Sequence, residues 1–513
     1  MSHDIPPKAG QPTKTVRIAG YWLLALVALL AICISIVQLE HGRAGLDISE
    51  MRIGTTPATL YQKASVTGLE SSPLVVVAHG FAGSRQLMQA YSLTLAQSGY
   101  TVLAFDFEGH GRNPVPMSGD VTSLDGTTAL LIAETRRVIA AGRSLPNVTG
   151  AVALLGHSMA TDIIVRAAIA EHAAGAPIAA IVAISMFSGA VTATEPDRLL
   201  MISGQWEGAL RSVALDNLRQ VRPGAGEGES VSANGIVRRA VVAPAVEHVG
   251  VLYSATALRE ARAWLDDAFD RKSAGPIVRP GLWIVLLLGG IVALLHPLSR
   301  LLPRRPQPAI AIPARRFWMA LLLPAFLVPL VGTAVYVPFM PVLVADYLMA
   351  HLALYGGLQL ILVWRLAGRA LSIPAILLLA IWGIAVFGFA MDRYAASFVP
   401  NAERLTIIAS LCIGTIPFMV ADSVLTGAGS GRWWQRIAAR TALLLSLAGA
   451  ALLDPERLMF LFIILPVLLL FLLMHGLMGR WIGQRSGPMS AGIGLGLCLA
   501  WSLGVTFPLF SAG

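Results

Sequence analysis

Residues 151–160 read AVALLGHSMA, and this stretch decides the fold. Its first five residues form a short apolar run, typical of a strand buried on both faces. A helix pattern begins at Met159, directly after Gly156-His157-Ser158. A strand that turns tightly into a helix at such a motif exposes the serine hydroxyl at the end of a sheet. We therefore predict Ser158 as a nucleophile, although a chance Gly-x-Ser turn is an alternative. Ala160 replaces the second glycine of the pattern G-x-S-x-G.

The segments on either side of this stretch alternate between strand-like and helix-like patterns. Further strands are predicted at 73–79, 101–107, 179–184, 199–203 and 239–244, and helices at 86–97, 127–141 and 255–269. Repeated alternation of this kind favours a mostly parallel sheet with helices on both faces, an α/β fold.

A glycine-rich turn, His79-Gly80-Phe81-Ala82-Gly83, follows the first of these strands. When a serine nucleophile lies on the same sheet edge, a loop of this kind supplies one backbone N–H to an oxyanion hole. The residue after the nucleophile supplies the other. We therefore predict that the amides of Phe81 and Met159 bind the oxyanion, and that His79 and Gly80 contact substrate. An ordinary turn is the alternative.

An acid and a general base are expected after the nucleophile, near the carboxyl ends of later strands. His248 lies in VEHVGVLYS, after the last strand, and Glu207 lies in LLMISGQWEG, after the strand before it. The carboxylate would orient the imidazole, which would accept the serine proton. The rival acids are Glu195, Asp197 and Asp216, and the rival base is His110.

These motifs resemble the α/β-hydrolase superfamily. The similarity rests on residues 75–113, LLGHSMA and VEHVGVLYS, and covers about residues 47–271. It is greatest to the serine-aminopeptidase, monoacylglycerol-lipase and dienelactone-hydrolase-like branches. The resemblance implies a serine hydrolase that uses Ser158, Glu207 and His248 without a cofactor or metal. The glutamate departs from the commoner aspartate.

The interval between the strands at 179–184 and 199–203 is short, which leaves no room for a large cap domain. We therefore predict an open site with Met186, Phe187 and Trp206 near its rim. Trp206 and Met186 are also the side chains that we expect to contact substrate.

The composition excludes a wholly soluble protein. Of 513 residues, 56% are hydrophobic and only 13% are charged, whereas a typical globular chain has ~25% charged residues. An apolar run at 18–39 is long enough to span a bilayer and is predicted as an uncleaved signal anchor. About eight further spans are predicted, at 281–298, 317–337, 342–363, 371–391, 405–425, 437–453, 458–474 and 489–509. We recognise no family in this region.

The basic residues predict the orientation of these spans. They gather in alternate loops, for example at Arg304, Arg305, Arg369 and Arg480, and such loops face the cytoplasm. This predicts a cytoplasmic tail (1–17), an anchor (18–39), an extracytoplasmic α/β domain (40–280) and a membrane domain (281–513). The protein would be a multi-pass protein of the bacterial cytoplasmic membrane, with its α/β domain in the periplasm.

The net charge of +9 is then explained by loops that face anionic lipid, and nucleic acid is not an expected partner. Asp346, His351 and Asp422 lie within predicted spans. Ionisable residues there are functional candidates, although solvation or pairing near an interface is the simpler interpretation. The three cysteines lie in apolar runs and predict no disulfide framework.

The sequence therefore favours a membrane-embedded serine hydrolase that cleaves ester bonds, less readily amides, in a small molecule or lipid. Two alternatives stay open. An acyltransferase would use the same acyl-enzyme with an acceptor other than water. A catalytically idle domain could instead bind ligands for a transporter-like bundle.

Overall fold

The computed structural model describes residues 14–64, 71–120, 123–304, 312–340, 342, 344–366 and 370–511. Residues 1–13, most of the predicted cytoplasmic tail, lie outside the described residues, as do Arg305 and Arg369 of the predicted basic loops.

The described residues contain one sheet of nine strands. The strands are β1 (Leu46–Ile53), β2 (Thr56–Lys63), β3 (Ser72–Ala78), β4 (Thr101–Phe105), β5 (Val148–His157), β6 (Ala180–Ile184), β7 (Arg198–Gly204), β8 (Ser230–Ala233) and β9 (Ile236–Ala243). Their spatial order is β1-β2-β4-β3-β5-β6-β7-β9-β8. The six strands from β4 to β9 in that order pair in parallel, and β1, β2 and β8 add antiparallel edges.

Helices cover both faces of this sheet, as the alternating pattern predicts. They are α2 (Gln89–Gln97), α3 (Ala129–Arg143), α4 (Met159–Ala173), α5 (Gly208–Arg219) and α6 (Ala255–Ala268). One core joins α3, α4 and α5 to one face, and a second core joins α2 and α6 to the other. Successive residues of β3 alternate between these cores, which explains why the strand is apolar throughout.

The remaining helices form the apolar part of the chain. They are α1 (Lys14–His41), α7 (Gly281–Ser299), α8 (Ala314–Val335), α9 (Ala345–Val363), α10 (Ile373–Ala380), α11 (Phe387–Tyr394), α12 (Ala402–Leu425), α13 (Trp433–Leu453), α14 (Pro455–Leu458), α15 (Leu461–Ser486) and α16 (Pro488–Thr506). A π-helical turn, Ile381–Val386, joins α10 to α11.

Within the described residues, nine helical segments are long and apolar enough to cross a membrane, with α10 and α11 counted as one. Lengths of 19 to 26 residues match the ~20 residues that a bilayer core requires. Charged residues are scarce in all of them. The chain is therefore consistent with a multi-pass membrane protein.

The α/β domain is held against the ends of these helices by polar contacts. Gln89 of α2 accepts a hydrogen bond from Arg43 and donates one to the carbonyl of Arg393. Arg112 forms an ion pair with Asp392. After α16 the chain turns back, and the N–H of Ser511 donates to the carbonyl of Met117 at 2.7 Å. The last described residues therefore lie on the α/β domain.

Candidate active site

Ser158 lies at the turn between β5 and α4, and its backbone is held in an unusual conformation. Its φ of +54° and ψ of −121° fall in a region that non-glycine residues seldom occupy. Its N–H donates to the carbonyl of Ile184 at 2.9 Å.

Gly156 leaves room for Ala160, which occupies the position of the second glycine in the pattern G-x-S-x-G. A side chain at Gly156 would lie 3.2 Å from the Cβ of Ala160.

The three residues predicted as a triad are within hydrogen-bond distance of one another. The Nε2 of His248 lies 2.9 Å from the Oγ of Ser158, and its Nδ1 lies 2.6 Å from the Oε1 of Glu207. Glu207 follows β7 and directly precedes α5, and His248 follows β9. The carboxyl ends of neighbouring parallel strands thus bring together residues that are far apart in the chain.

The carboxylate of Glu207 is bound on both of its oxygens. The N–H of Gly204 and the hydroxyl of Ser185 donate to its Oε2 at 2.5 Å and 2.8 Å. Burial raises the pKa of this carboxyl, but the hydrogen bonds from His248, Gly204 and Ser185 outweigh burial and leave the pKa below its usual value. Glu207 is therefore ionised at neutral pH, the state needed to stabilise an imidazolium.

The glycine-rich turn after β3 approaches the nucleophile closely. A Cβ on Gly80 would lie 3.0 Å from the Cβ of Ser158, so a side chain there would crowd the nucleophile. The next residue is Phe81, and Ala82 follows with a φ of +55°. Met159, the first residue of α4, belongs to a helical turn whose N–H groups have no partner within the helix. Met159 therefore directly follows Ser158, and Phe81 directly follows the glycine that approaches Ser158.

Two of the residues predicted to contact substrate, His79 and Met186, are buried. His79 is fully buried. Its Nε2 accepts from the N–H of Phe107 at 3.1 Å, so its Nδ1 donates to the carbonyl of Gly80 at 2.8 Å. Both ring nitrogens are thus used to hold the loop. Met186 is also fully buried and packs in the sheet core. It therefore lies beneath the rim, whereas Phe187 and Trp206 are each 67% exposed.

The rival residues lie elsewhere. Asp197 is near the exposed His172, with 3.6 Å between the closest side-chain atoms. Asp216 lies within α5, two turns after Glu207. His110 is buried against the rings of Phe81 and His79. None of these residues forms a hydrogen bond with Ser158 or His248 among the contacts of the described residues.

Several supporting residues were not found from the sequence. Arg85 is buried and forms an ion pair with Asp106, which follows β4, and its backbone N–H donates to the same carboxylate. This pair ties the Gly80 loop to the loop after β4. His157 donates from Nε2 to the carbonyl of His248 at 2.9 Å. Two features of the sequence could have revealed these residues. Arg85 and Asp106 are charged residues close to apolar strands, and His157 directly precedes Ser158.

A family model described as serine aminopeptidase, S33, matches residues 70–241 of this chain. The match covers β3 to β9 and includes Ser158 and Glu207, and it ends before His248. No curated protein matches the chain.

Solved structures similar to the chain include three hydrolases. A dienelactone hydrolase from Anabaena variabilis is 15% identical and covers 44% of this chain and 98% of its own, with a TM-score of 0.30. A hormone-sensitive lipase from a metagenome library is 15% identical, with 49% and 98% covered and a TM-score of 0.31. An epoxide hydrolase from an endophytic Streptomyces is 13% identical, with 44% and 97% covered and a TM-score of 0.32.

The sheet order, the turn at Ser158 and the family match agree with the resemblance seen in the sequence. This chain therefore contains an α/β-hydrolase domain, and it continues into a helical region with several candidate membrane-spanning helices.

Proposed function

We propose that this protein is a membrane-embedded serine hydrolase that cleaves ester bonds, and less readily amides, through an acyl-enzyme on Ser158. The proposal rests on one observation, the unbroken chain of hydrogen bonds from Ser158 through His248 to Glu207. A serine hydroxyl becomes an effective nucleophile only when a base accepts its proton. The 2.9 Å between the Nε2 of His248 and the Oγ of Ser158 supports His248 as that base.

In the proposed reaction, the Oγ of Ser158 attacks the carbonyl carbon of the ester while its proton passes to the Nε2 of His248. The carbonyl oxygen becomes an oxyanion beside the amides of Phe81 and Met159. Collapse of this intermediate re-forms the carbonyl, breaks the bond to the leaving alcohol and returns the proton to that alcohol. Water then repeats the attack, regenerates Ser158 and releases the carboxylic acid.

The test is covalent labelling by a fluorophosphonate probe, which reacts only with an activated serine. We expect the full-length protein in detergent to be labelled, and Ser158→Ala and His248→Ala to lose the label. Ser212→Ala is the matched control, because Ser212 is an exposed serine of α5, and it should be labelled as the wild type is. A folded wild-type protein that never reacts would contradict the proposal and favour a non-catalytic binding domain.

A further inference from the structure

A polar cavity lies at the end of the helical region that is opposite to the α/β-hydrolase domain. Its volume is about 280 Å³, and its walls come from the end of α12, the start of α13, the last third of α15 and the start of α16. Helix α15 begins beside the hydrolase domain, where Phe460 packs on Phe81. Arg480, in the cavity wall, follows Phe460 by 20 positions, which is roughly 30 Å along a helix. A bilayer core is ~30 Å thick, so the cavity and the candidate active site lie on opposite sides of the candidate membrane region.

Three arginine side chains line this cavity. Arg436 and Arg440 are about one turn apart on α13, and Arg480 is on α15. Asp422, on α12, is the only acidic residue among the described residues of the wall. The wall therefore carries three positive charges and one negative charge, a formal excess of two positive charges. Within the part of the chain that the structure describes, none of the three arginines forms an ion pair with a carboxylate.

The protein itself satisfies only a small part of these guanidinium groups. The Nη1 of Arg440 donates to the carbonyl of Leu472 at 3.2 Å, and the Nε of Arg480 donates to the carbonyl of Gly429 at 3.1 Å. Arg436 has no hydrogen bond and no ion pair with any described residue. A guanidinium group has five N–H donors and stays charged, and an unpaired charge in a cavity of low dielectric constant is costly. The arrangement therefore suits an anion.

The wall of the cavity is also continuous with the apolar surface of the helices. Ile437 of α13 and Leu473 and Leu477 of α15 line the cavity and are exposed, as lipid-facing residues of a membrane span are. The side chains of Asp422 and Ser423, in the wall contributed by α12, are buried. A ligand in this cavity would therefore contact positive charge inside and hydrocarbon at the edge, which matches a phospholipid with its headgroup inside and its chains outside.

We propose that this cavity binds an anionic phosphate group, and that its apolar edge favours the phosphate of a phospholipid over inorganic phosphate. The planar donors of arginine match the oxygen atoms of a phosphate group. Basic pockets between membrane-spanning helices bind the headgroups of anionic lipids in the same way. The site contains neither Ser158 nor any other residue of the candidate triad, so the proposal does not depend on the hydrolase function.

The experiment measures the lipid retained by the full-length protein in a neutral detergent, using native mass spectrometry to count bound molecules. The probes are phosphatidylglycerol, which is anionic, and phosphatidylcholine, whose ammonium group neutralises its phosphate. We expect the wild type to retain phosphatidylglycerol in preference. Arg436→Gln should weaken this retention by roughly tenfold or more, because it removes charge-assisted hydrogen bonds. It should leave folding intact, since Arg436 has no partner among the described residues.

Arg315→Gln is the matched control, because it removes the same charge at the same end of the helices. Arg315 is exposed at the start of α8, where Phe317 packs on Trp434 of α13. This variant should retain phosphatidylglycerol as the wild type does. An equal loss in Arg315→Gln would overturn the proposal, since it would indicate attraction to the surface as a whole. Unchanged retention in Arg436→Gln would overturn it as well.

Inorganic phosphate distinguishes the two sources of the ligand. If the site binds phosphate from solution, inorganic phosphate should raise the melting temperature of the wild type more than that of Arg436→Gln and should displace phosphatidylglycerol. Preferential retention of phosphatidylglycerol that phosphate does not reverse would assign the site to lipid. Equal retention of both lipids, together with no effect of phosphate, would overturn the proposal. Ser158→Ala should bind as the wild type does, so a failure of the hydrolase function would be distinguishable from a failure of this site.

Discussion

The guanidinium of Arg404, at the start of α12, donates to the carbonyl of Gly109 in the α/β-hydrolase domain at 3.0 Å. The same group donates to the carbonyls of Gly504 and Phe507 at the end of α16. Arg404 is almost fully buried, with 1% of its surface exposed. One side chain therefore satisfies carbonyls at the end of a helix, where no backbone donor is available, and joins them to a loop beside the candidate active site.

Replacement of Arg404 should weaken the contact between the end of α16 and the α/β-hydrolase domain. Arg404→Met leaves the carbonyls of Gly504 and Phe507 without this donor, and each unsatisfied buried group costs ~1–3 kcal/mol. The carbonyl of Gly109 keeps its hydrogen bond from the N–H of Leu509. We expect a clear fall in the melting temperature in detergent and faster proteolysis at residues 109–117. Arg404→Lys should recover only part of the loss, because an ammonium group is a compact donor rather than a planar fork. Arg259→Met, at an exposed arginine of α6, is the control, and an equal effect there would contradict the assignment.

Substitutions of Glu207 and Asp216 test which of them is the acid of the candidate triad. Glu207→Gln should preserve the fold but lower turnover strongly, since loss of the orienting carboxylate costs ~10⁴ in a serine protease. Asp216→Asn, in the same helix, should retain activity. Steady-state hydrolysis of a short-chain ester distinguishes the two. An active Glu207→Gln together with an inactive Asp216→Asn would show that the acid is misassigned.

Ser185 should act as a positioning residue through Glu207. Its hydroxyl donates to Oε2 at 2.8 Å, and one such hydrogen bond is worth ~0.5–1.5 kcal/mol. We expect Ser185→Ala to lower kcat/KM by roughly 2- to 12-fold. Ser203→Ala is a matched control, because the buried hydroxyl of Ser203 has no partner within the described residues. The same loss in both variants would indicate a general packing effect.

Acid should destabilise the α/β-hydrolase domain through two buried histidines. Burial lowers the pKa of both His110 and His157 to about 3, whereas an unfolded histidine titrates near ~6.5. Below pH ~6.5 the unfolded chain binds protons that the native chain does not, so stability is full above that pH and falls towards pH 3. Each histidine should lower the free energy of unfolding by ~2 kcal/mol between pH 7 and pH 5.

Thermal unfolding of the full-length protein at these two pH values measures this effect. His157→Gln should reduce the difference in melting temperature between pH 7 and pH 5. His172→Gln should leave it unchanged, because His172 is exposed. Equal melting temperatures of the wild type at both pH values would contradict the prediction.

The orientation in the membrane is the last prediction. The contact between Ser511 and Met117 requires the end of the chain and the α/β-hydrolase domain to lie on the same side. The positive-inside rule predicts that the basic loops face the cytoplasm, so residue 511 and the α/β-hydrolase domain should both lie on the other side of the membrane. A reporter that is active only outside the cytoplasm should therefore be active when fused after Gly513. Activity from a cytoplasmic reporter alone at that position would reverse the orientation or change the number of spans.

The sequence alone predicted those strands, helices and turns that have a characteristic pattern over neighbouring residues. Strands β3 to β7 are buried on both faces over most of their length, so they contain short apolar runs. The turn at Ser158 is visible because a strand, a small-residue motif and a helix follow one another. The candidate membrane-spanning helices were equally clear, since lipid requires about twenty apolar residues in succession. The chain order of Ser158, Glu207 and His248 then placed the candidate triad.

Strands β1, β2 and β8 were missed because their mixed sequence patterns resemble those of loops. Only β1 and β8 lie at the edges of the sheet, and both are partly exposed. The sequence also did not show that His79 and Met186 are buried. The spacing of residues does not tell which side of a turn faces the core, and the hydrogen bonds of His79 with Phe107 and Gly80 are made only after β3 and β4 pair.

Only the tertiary structure decided how the two parts of the protein meet. Arg404 and Gly109 are separated by 295 positions in the sequence. Phe81 and Phe460, whose rings pack on each other, are separated by almost four hundred, and no local pattern marks either pair. Their contacts depend on the packing of α12, α15 and α16 against one another and on the return of residues 509–511 to the hydrolase domain. A sequence specifies which segments are apolar, because burial and lipid both select for that property, whereas the partner of each buried surface is set by the packing of the whole chain.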